Sequence, residues 1–212
     1  MIRYIYAEDL KALPKLRDTM FKDRAQQFKS RLDWDVTVDA TGYEIDSYDA
    51  QNPLYVIWEM PDGSHGGSMR LLPTTGDTMV NDHFLHLTDG VRIESPLIWE
   101  CTRYCLSPRH DAHAAEIAGA LLAAGCELGL QFGLTDSVGV FDTRMVRIYR
   151  RIGWEPTVLG TDGEGKDRIS VGLWEVSEEA RDRICHRTGF TIDTPAAWFD
   201  ASFNQTATQI AA

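Results

Sequence analysis

The chain has 212 residues with ordinary apolar and charged fractions, which is enough for one globular domain with a full hydrophobic core. Its formal net charge of -11 would repel nucleic-acid phosphates and anionic lipids, so we expect no nucleic-acid role without a concentrated basic patch. The first residues, MIRYIYAEDL, lack the apolar core of a signal peptide, and we expect no later stretch to span a membrane. We therefore predict a single-domain cytoplasmic protein, residues 1–212, without membrane insertion.

The four cysteines show no pattern that is typical of a metal site. Cys101, Cys105, Cys126 and Cys185 form no CxxC pair, and no histidines accompany them at zinc-ligand spacing. Cys101 and Cys105 are expected to share one face of a strand. We predict reduced thiols without a chemical role, and no metal site.

The first half of the chain is predicted to contain one helix and three strands. A helix that continues toward Phe28 is predicted by apolar residues at helical spacing, namely Leu10, Leu13, Leu16 and Met20. An aspartate-rich stretch follows from Trp34 to Asp49. The strand-like runs are Leu54 to Met60, Gly67 to Leu72 and Leu97 to Leu106, and the turn sequence PDGSHGG predicts an antiparallel hairpin from the first two. Residues 73–94 lack a clean period and are interpreted as a segment with a short helix or a lid.

The second half alternates helices and strands. The clearest helix is predicted near Ala112 to Phe132, because small and apolar residues recur along one stripe. The following elements are a strand at Leu134 to Val140, a basic helix at Thr143 to Arg151, and strands at Trp154 to Leu159 and Ile169 to Val176. Beyond about Ser177 we expect one more short helix and a fraying tail, residues 177–212 in all. The order β-β-β-α-β-α-β-β predicts an α/β domain, an α+β three-layer sandwich with helices flanking a central sheet.

A first candidate site lies in the N-terminal region. Arg24 and Phe28 are four residues apart and share a helix face, and an arginine on an inward face needs an anionic partner. Trp34 follows, and then Asp46 and Asp49 in the stretch EIDSYDA. A carboxylate ligand would suit Arg24. Taken alone, the pattern favours a local ion pair, a core aromatic and a solvated turn.

A second candidate site lies in the strand IWECTRYCL, where Glu100 and Arg103 interrupt an apolar run. Three residues apart on a strand, their side chains are expected to point to opposite faces, so no direct pair is implied. Arg70 interrupts the preceding run GSMRLLP in the same way. Charged residues inside such strands are typical of the floor of an active site, and salt bridges at a sheet edge or an exposed strand face are the alternatives.

A third feature is the basic helix TRMVRIYRR. Arg144, Arg147 and Arg151 recur at helical spacing and form one ridge. On an acidic protein this ridge is either a solvated helix face or a docking surface for an acidic partner.

In chain order, these residues resemble the signature of the LuxI-type acyl-homoserine-lactone synthases. The phrase IWECTRY is the sharpest match, and the resemblance extends from the N-terminus to about Val176. The matching residues are Arg24, Phe28, Trp34, Asp46, Asp49, Arg70, Phe84, Glu100 and Arg103. The gap between Trp34 and Asp46 is one residue longer than in the family pattern, which a loop would absorb.

The resemblance implies a fold related to the GCN5-type N-acetyltransferases, with a mixed, mostly antiparallel sheet. It implies acyl transfer from acyl carrier protein, or from coenzyme A, to the amine of S-adenosylmethionine. Ring closure to the lactone then releases methylthioadenosine and yields a quorum-sensing signal. S-adenosylmethionine is thus a substrate, and no cofactor is expected.

The resemblance also implies roles for the acceptor side. Residues 1–50 form an acceptor-binding lobe in which Asp46 and Asp49 hold the cationic groups of S-adenosylmethionine. Arg24 and Arg103 lie near its carboxylate or brace the acids. The rest of the pocket is Phe28, Trp34, Arg70 and Phe84.

The implied catalytic residues are Glu100, Asp46 and Arg103. Glu100 is the candidate general base, because the acceptor ammonium must lose a proton before it attacks the thioester. The ridge Arg144, Arg147 and Arg151 is expected to dock the carrier protein. Members that favour 3-oxo-acyl chains carry a hydroxyl residue where this chain has Gly139, in the acyl-chain pocket, which argues against a 3-oxo preference.

Two other functions remain as alternatives. A coenzyme A-dependent N-acetyltransferase of the same fold normally carries a glycine-rich pyrophosphate loop, and this chain has SPRHDAHAAEI at that place. A non-catalytic sensor module would keep the pocket and would not need an ionisable base such as Glu100.

Overall fold

Seven strands form one mixed sheet in the computed structural model, which describes residues 1–210 apart from the side chains of Lys166 and residues 204–210. The order across the sheet is β1-β2-β3-β4-β5-β7-β6. Every neighbouring pair is antiparallel except β4 and β5, which confirms the predicted mixed, mostly antiparallel sheet. The strands are β1 (Ile2–Tyr6), β2 (Leu54–Glu59), β3 (His65–Pro73), β4 (Ile98–Leu106), β5 (Asp136–Asp142), β6 (Thr157–Asp162) and β7 (Ile169–Glu175).

The hairpin of β2 and β3 is confirmed, since Leu54 pairs with Leu71 and Val56 with Met69. Strand β1 was not predicted. It pairs antiparallel with β2, and its Ile2 side chain is buried in the core. This five-residue strand has only two buried side chains, which alternate with more exposed ones. Two positions are too few for an alternating pattern to be recognised in the sequence of a charged segment.

The helices are α1 (Pro14–Arg24), α2 (Met79–His83), α3 (Ala114–Gln131), α4 (Val146–Ile152), α5 (Glu178–Thr188) and α6 (Asp193–Ile210). Helix α1 begins with Pro14, whose missing N–H costs no hydrogen bond in the first turn, and continues as a π-helical segment, Ala25–Arg31. Helix α3 confirms the predicted long helix, and α2 confirms a short helix between the second and third predicted strands.

The prediction of one short helix after Ser177 was wrong, because two helices follow. Helix α6 packs against β1, with the rings of Tyr4 and Phe199 at 5.3 Å, so contacts with the N-terminal strand stabilise it. The expected fraying falls on residues 204–212, whose side chains lie outside the described residues, as does the backbone of residues 211–212.

Helices cover both faces of the sheet. On one face Ile117, Leu121 and Leu128 of α3 pack against β1 to β3, and on the other Leu16 and Met20 of α1 pack against β2. Contrary to expectation, a segment of the described chain, Pro108–Gln131, is long and apolar enough to span a membrane. Because 72% of its most apolar window is buried in this fold, it behaves as the core helix of a globular domain.

The sheet opens between β4 and β5. These parallel strands pair only over Ile98–Glu100 and Asp136–Val138, and β5 then follows its antiparallel partner β7. The gap that results places the end of β4 beside an open cleft. The division into an N-terminal lobe, residues 1–50, and a C-terminal tail remains a prediction.

Candidate active site

A cavity of about 1280 Å³ enters the molecule at the gap between β4 and β5. Its outer part is charged and lined by Glu44, Asp46 and Arg103. Its inner part is apolar and reaches α3 at Leu122 and Gly125. The two parts are continuous, so a polar group and an apolar chain of one reacting pair can be held together here.

The loop that carries the acidic residues is fixed by its own backbone. Asp46 caps a 3-10 turn, Ser47–Gln51, by accepting hydrogen bonds from the N–H groups of Tyr48 and Asp49. The Asp49 carboxylate accepts in return from the N–H of Asp46 at 2.9 Å. This reciprocal capping box orients both carboxylates toward the sheet.

Arg24 lies at the buried end of the charged cluster and does not line the cavity. Its Nε donates to Glu44 at 2.7 Å, and its two Nη groups donate to Asp49 at 3.0 and 2.9 Å. Burial alone would raise the pKa of Asp49, but the Arg24 and Arg70 guanidinium groups hold that pKa well below its usual range. Arg24 therefore braces the acids, one of the two roles considered for it.

Arg70 and Arg103 join the same cluster from the sheet. Arg70 donates to both oxygens of Asp46, at 2.5 and 3.0 Å, and to Thr102 at 3.0 Å. Arg103 donates to Asp46 at 2.7 Å and to Glu44 at 3.1 Å. Three guanidinium groups thus meet three carboxylates. Of the members that line the cavity, Asp46, with 20% of its side chain exposed, and Arg103, with 9%, are more accessible than the buried Glu44.

The prediction that Glu100 and Arg103 point to opposite faces was wrong. Arg103 has a φ of 53°, and the pairing of β3 with β4 shifts at this point, so β4 contains a bulge. The extra residue reverses the side-chain alternation, and Arg103 turns to the face of the charged cluster. The prediction that Cys101 and Cys105 share one face was wrong for the same reason, because the bulge lies between them. Cys101 contacts Met69 on the α3 side. Burial, together with the charge of Asp23 on α1, raises the pKa of Cys105 to about 12.

Glu100 is fully buried behind the wall of the cavity. Its carboxylate accepts hydrogen bonds from the N–H groups of Val80 at 2.6 Å and Met79 at 3.0 Å, at the start of α2. Burial raises the pKa of Glu100 to about 7, because these hydrogen bonds and the more distant arginines offset only part of the lost hydration. Glu100 therefore changes its protonation state near neutral pH.

Aromatic side chains wall the charged part of the cavity. The rings of Phe28 and Trp34 stack at 5.2 Å and 11°, and the Arg103 guanidinium lies 5.5 Å from the Phe28 ring centre. Phe84 lines the same cavity just after α2, which places it with the predicted pocket residues. Asp49 and Arg70 support the pocket from behind and do not line it.

Two residues of this site were not singled out from the sequence. Glu44 is fully buried and bridges Arg24 and Arg103, and its place two residues before Asp46 was the available signal. Tyr48 lines the cavity and donates to Asp82 of α2 at 2.8 Å, which ties α2 to the acidic loop. Its partner lies 34 residues away in sequence, so no local pattern indicates the contact.

Gly139 lies on β5 where the passage to the inner chamber is narrow. A Cβ atom at this position would lie 2.9 Å from the carbonyl oxygen of Cys101 and 3.4 Å from the Trp174 ring. The chamber beyond is lined by aromatic residues, among them Phe141, Tyr149 and Trp174. The missing side chain therefore lets β5 lie close to the Cys101 carbonyl of β4 where Gly139 lines the cavity.

The basic ridge is exposed, and one of its residues, Arg144, lines the cavity. Arg144 precedes α4 in a 3-10 turn, pairs with Asp142 and lines the cavity. Arg147 and Arg151 are exposed on α4, and neither forms an ion pair within the described part of the chain. This surface is cationic on a chain whose net charge is -11.

Comparisons with known proteins agree with this geometry. The family model "Autoinducer synthase" matches residues 8–184. An acyl-homoserine-lactone synthase of Rhizobium etli is 41% identical over 183 residues, which are 84% of this chain and 86% of the relative. The solved structure of BjaI, a CoA-dependent acyl-homoserine lactone synthase with SAM and isopentyl-CoA, is 25% identical, has a TM-score of 0.78 and covers 90% of each chain.

A more distant neighbour bears on the fold alone. An acyl-CoA N-acyltransferase from Pseudomonas aeruginosa is 12% identical, with a TM-score of 0.52, and the match covers 82% of this chain and 98% of that one. This likeness supports the predicted N-acetyltransferase-like fold. Because the family match covers most of the chain and the Rhizobium etli relative is matched over most of both chains, the chain belongs to the autoinducer synthase family and is an acyl-homoserine-lactone synthase, an acyltransferase.

Proposed function

We propose that the chain transfers an acyl group from a thioester donor to the amine of S-adenosylmethionine and then closes the lactone with release of methylthioadenosine. The observation that carries the proposal is the continuity of the cavity, whose charged part, with Asp46 and Arg103, opens into the apolar chamber behind β4 and β5. A doubly cationic acceptor with one carboxylate fits the charged part, and an acyl chain fits the chamber.

On the acceptor side, Asp46 holds the cationic groups, the buried Glu44 adds negative charge to the wall beside it, and Arg103 faces the carboxylate. Asp46 and Arg103 are the partly accessible members of the cluster, whereas Arg24, Arg70 and Asp49 position them from behind. Phe28 and Trp34 wall the pocket on the side of the N-terminal helix. Since the six charged groups neutralise one another, the pocket is formed before the acceptor binds.

Glu100 acts as the general base in this proposal. The ammonium has no free lone pair, so it must lose a proton before its nitrogen attacks the thioester carbonyl. A carboxyl group with a pKa of about 7 is deprotonated in a substantial fraction of molecules at neutral pH and is basic enough to accept that proton. Because Glu100 lies behind the cavity wall at Met79, the proton reaches it through one intervening water.

Attack of the amine forms a tetrahedral oxyanion, and the donor thiol then leaves as the amide bond forms. Beyond Glu100, β4 has no β5 partner, so backbone N–H groups on this edge are available to the oxyanion. The carboxylate of the acylated acceptor next attacks its own γ-carbon. The C–S bond breaks, its electron pair neutralises the sulfonium, and the five-membered ring forms as methylthioadenosine leaves.

The donor in this proposal is an acyl carrier protein. The ridge begins at the cavity with Arg144 and continues along α4 with Arg147 and Arg151, and such a cationic surface on an acidic protein attracts an acidic partner. Acyl-CoA is the alternative donor, supported by the coenzyme in the BjaI structure. On the acyl side, Gly139 offers no hydroxyl to a 3-oxo group, so we expect no preference for 3-oxo chains.

The test uses the purified protein, S-adenosylmethionine and an acyl thioester, with release of methylthioadenosine and formation of the acyl-homoserine lactone followed by mass spectrometry. The proposal predicts equal amounts of both products. Acylated S-adenosylmethionine without lactone would contradict the ring-closure step, and free fatty acid with intact S-adenosylmethionine would contradict the acceptor.

A further inference from the structure

Met69 and Gly125 meet at the inner part of the apolar chamber, and both line it. Met69 lies on β3 and is 2% exposed, and Gly125 lies on the face of α3 that packs on the sheet. Met69 belongs to the core cluster between the sheet and α3, whereas its neighbour Arg70 joins the charged cluster on the opposite face of the sheet.

The contact between these residues leaves no room for a side chain on the helix. A Cβ atom built on Gly125 would lie 2.6 Å from the Cε methyl of Met69 and 3.6 Å from its Sδ. The thioether therefore packs directly on the backbone of α3 and occupies the space that an alanine methyl would fill. An unbranched methionine has a flexible end, so this methyl group is the part of the wall that yields most easily.

We infer that the contact of Met69 with Gly125 sets the depth of the acyl chamber and thereby the acyl-chain length that the enzyme prefers. The inference rests on the proposed function of this chamber as the acyl site. If the thioether end of Met69 is displaced, it moves into the open chamber, because the rest of the side chain lies in the packed core. A side chain on Gly125 would push the methyl into the chamber, and loss of the methyl would lengthen the chamber.

The expected effect follows from the burial of methylene groups. Each additional buried methylene favours binding by about fourfold, so a two-carbon change in the preferred chain changes the ratio of kcat/KM values by about 16-fold. Met69→Ala is expected to favour longer chains, and Gly125→Ala shorter ones. The double variant is expected to lie between the two single variants, since the added Cβ no longer meets a thioether.

The experiment offers wild type and variants an equimolar mixture of saturated acyl thioesters of increasing even chain length, all on one carrier. Mass spectrometry measures the relative amounts of the acyl-homoserine lactones, so that the readout is a ratio and not total activity. The matched control is Gly129→Ala on the same helix, whose Cβ would lie 2.7 Å from Val176 and outside the chamber. It should retain the wild-type distribution even where thermal unfolding shows a loss of stability.

Opposite shifts for Met69→Ala and Gly125→Ala support the inference. Unchanged distributions, or shifts in the same direction, overturn it. If Met69→Ala does not fold, Met69→Leu is the second variant, because its side chain has a similar volume but is shorter. It must shift the product distribution toward longer chains, by less than is expected for Met69→Ala. A wild-type protein that forms no lactone from any donor would instead contradict the proposed function itself.

Discussion

Replacing Glu44 by alanine tests whether the charged cluster is a single structural unit. The Glu44 carboxylate is buried and accepts hydrogen bonds from Arg24 at 2.7 Å and from Arg103 at 3.1 Å. Removing one partner of a buried ion pair costs about 3–5 kcal/mol, because the remaining charge stays desolvated. Arg24 keeps Asp49 and Arg103 keeps Asp46, so we expect the lower end, about 3 kcal/mol.

For a chain of this size that loss lowers the midpoint of thermal unfolding by about 6–12 °C. Circular dichroism and urea titration measure the change, and the free energy of unfolding should fall with no change in the urea dependence. The matched control is Glu155→Ala, which removes an exposed partner of Arg150 and should leave the midpoint unchanged. Equal midpoints for the two variants would refute the cluster as a cooperative unit.

The remaining predictions concern activity. Glu100→Gln should lower turnover by about two to four orders of magnitude, with binding of S-adenosylmethionine largely retained in calorimetry; near wild-type turnover would remove Glu100 from the mechanism. Because the base acts when deprotonated and burial raises the pKa of Glu100 to about 7, kcat/KM of the wild type should rise with pH up to about 7 and then level off; a flat profile from pH 5 to 8 would contradict this role. Asp46→Ala should weaken binding of S-adenosylmethionine by at least tenfold, the effect of losing about 1.4 kcal/mol, and unchanged affinity in the same titration would show that another group holds the cation. Reversing Arg147 and Arg151 to glutamate should raise the KM for acyl carrier protein and reduce its salt dependence while a small acyl-CoA donor is much less affected; an unchanged KM for acyl carrier protein would leave the ridge as a solvated helix face.

The helices and strands whose apolar residues repeat regularly along the chain could be predicted from the sequence. Helix α3 shows an apolar stripe over its whole length, and the β2–β3 hairpin has a glycine-rich turn between two apolar runs. The bulge in β4 was not predictable, because Arg103 is not a glycine and nothing near it signals a left-handed backbone. Its conformation is held by ion pairs to Glu44 and Asp46, which lie 59 and 57 residues away in sequence.

The candidate site, too, could be predicted only in part. The residues were identified by resemblance, but their layering depends on tertiary contacts. Arg24 is a brace because two acids from a later loop surround it, and Glu100 lies behind the wall because the start of α2 covers it. Which side chains are buried, and which ion pairs they form, depends on segments that are distant in sequence. A local sequence pattern therefore does not predict these contacts.

Mass spectrometry of the lipophilic extract from cells that express this chain tests acyl-homoserine-lactone synthesis most directly. We predict acyl-homoserine lactones without a preference for 3-oxo chains in the wild-type extract, and their loss in cells that express Glu100→Gln at the same level. This prediction would be contradicted if the wild-type extract contained no acyl-homoserine lactone, or if the lactones persisted unchanged with the variant.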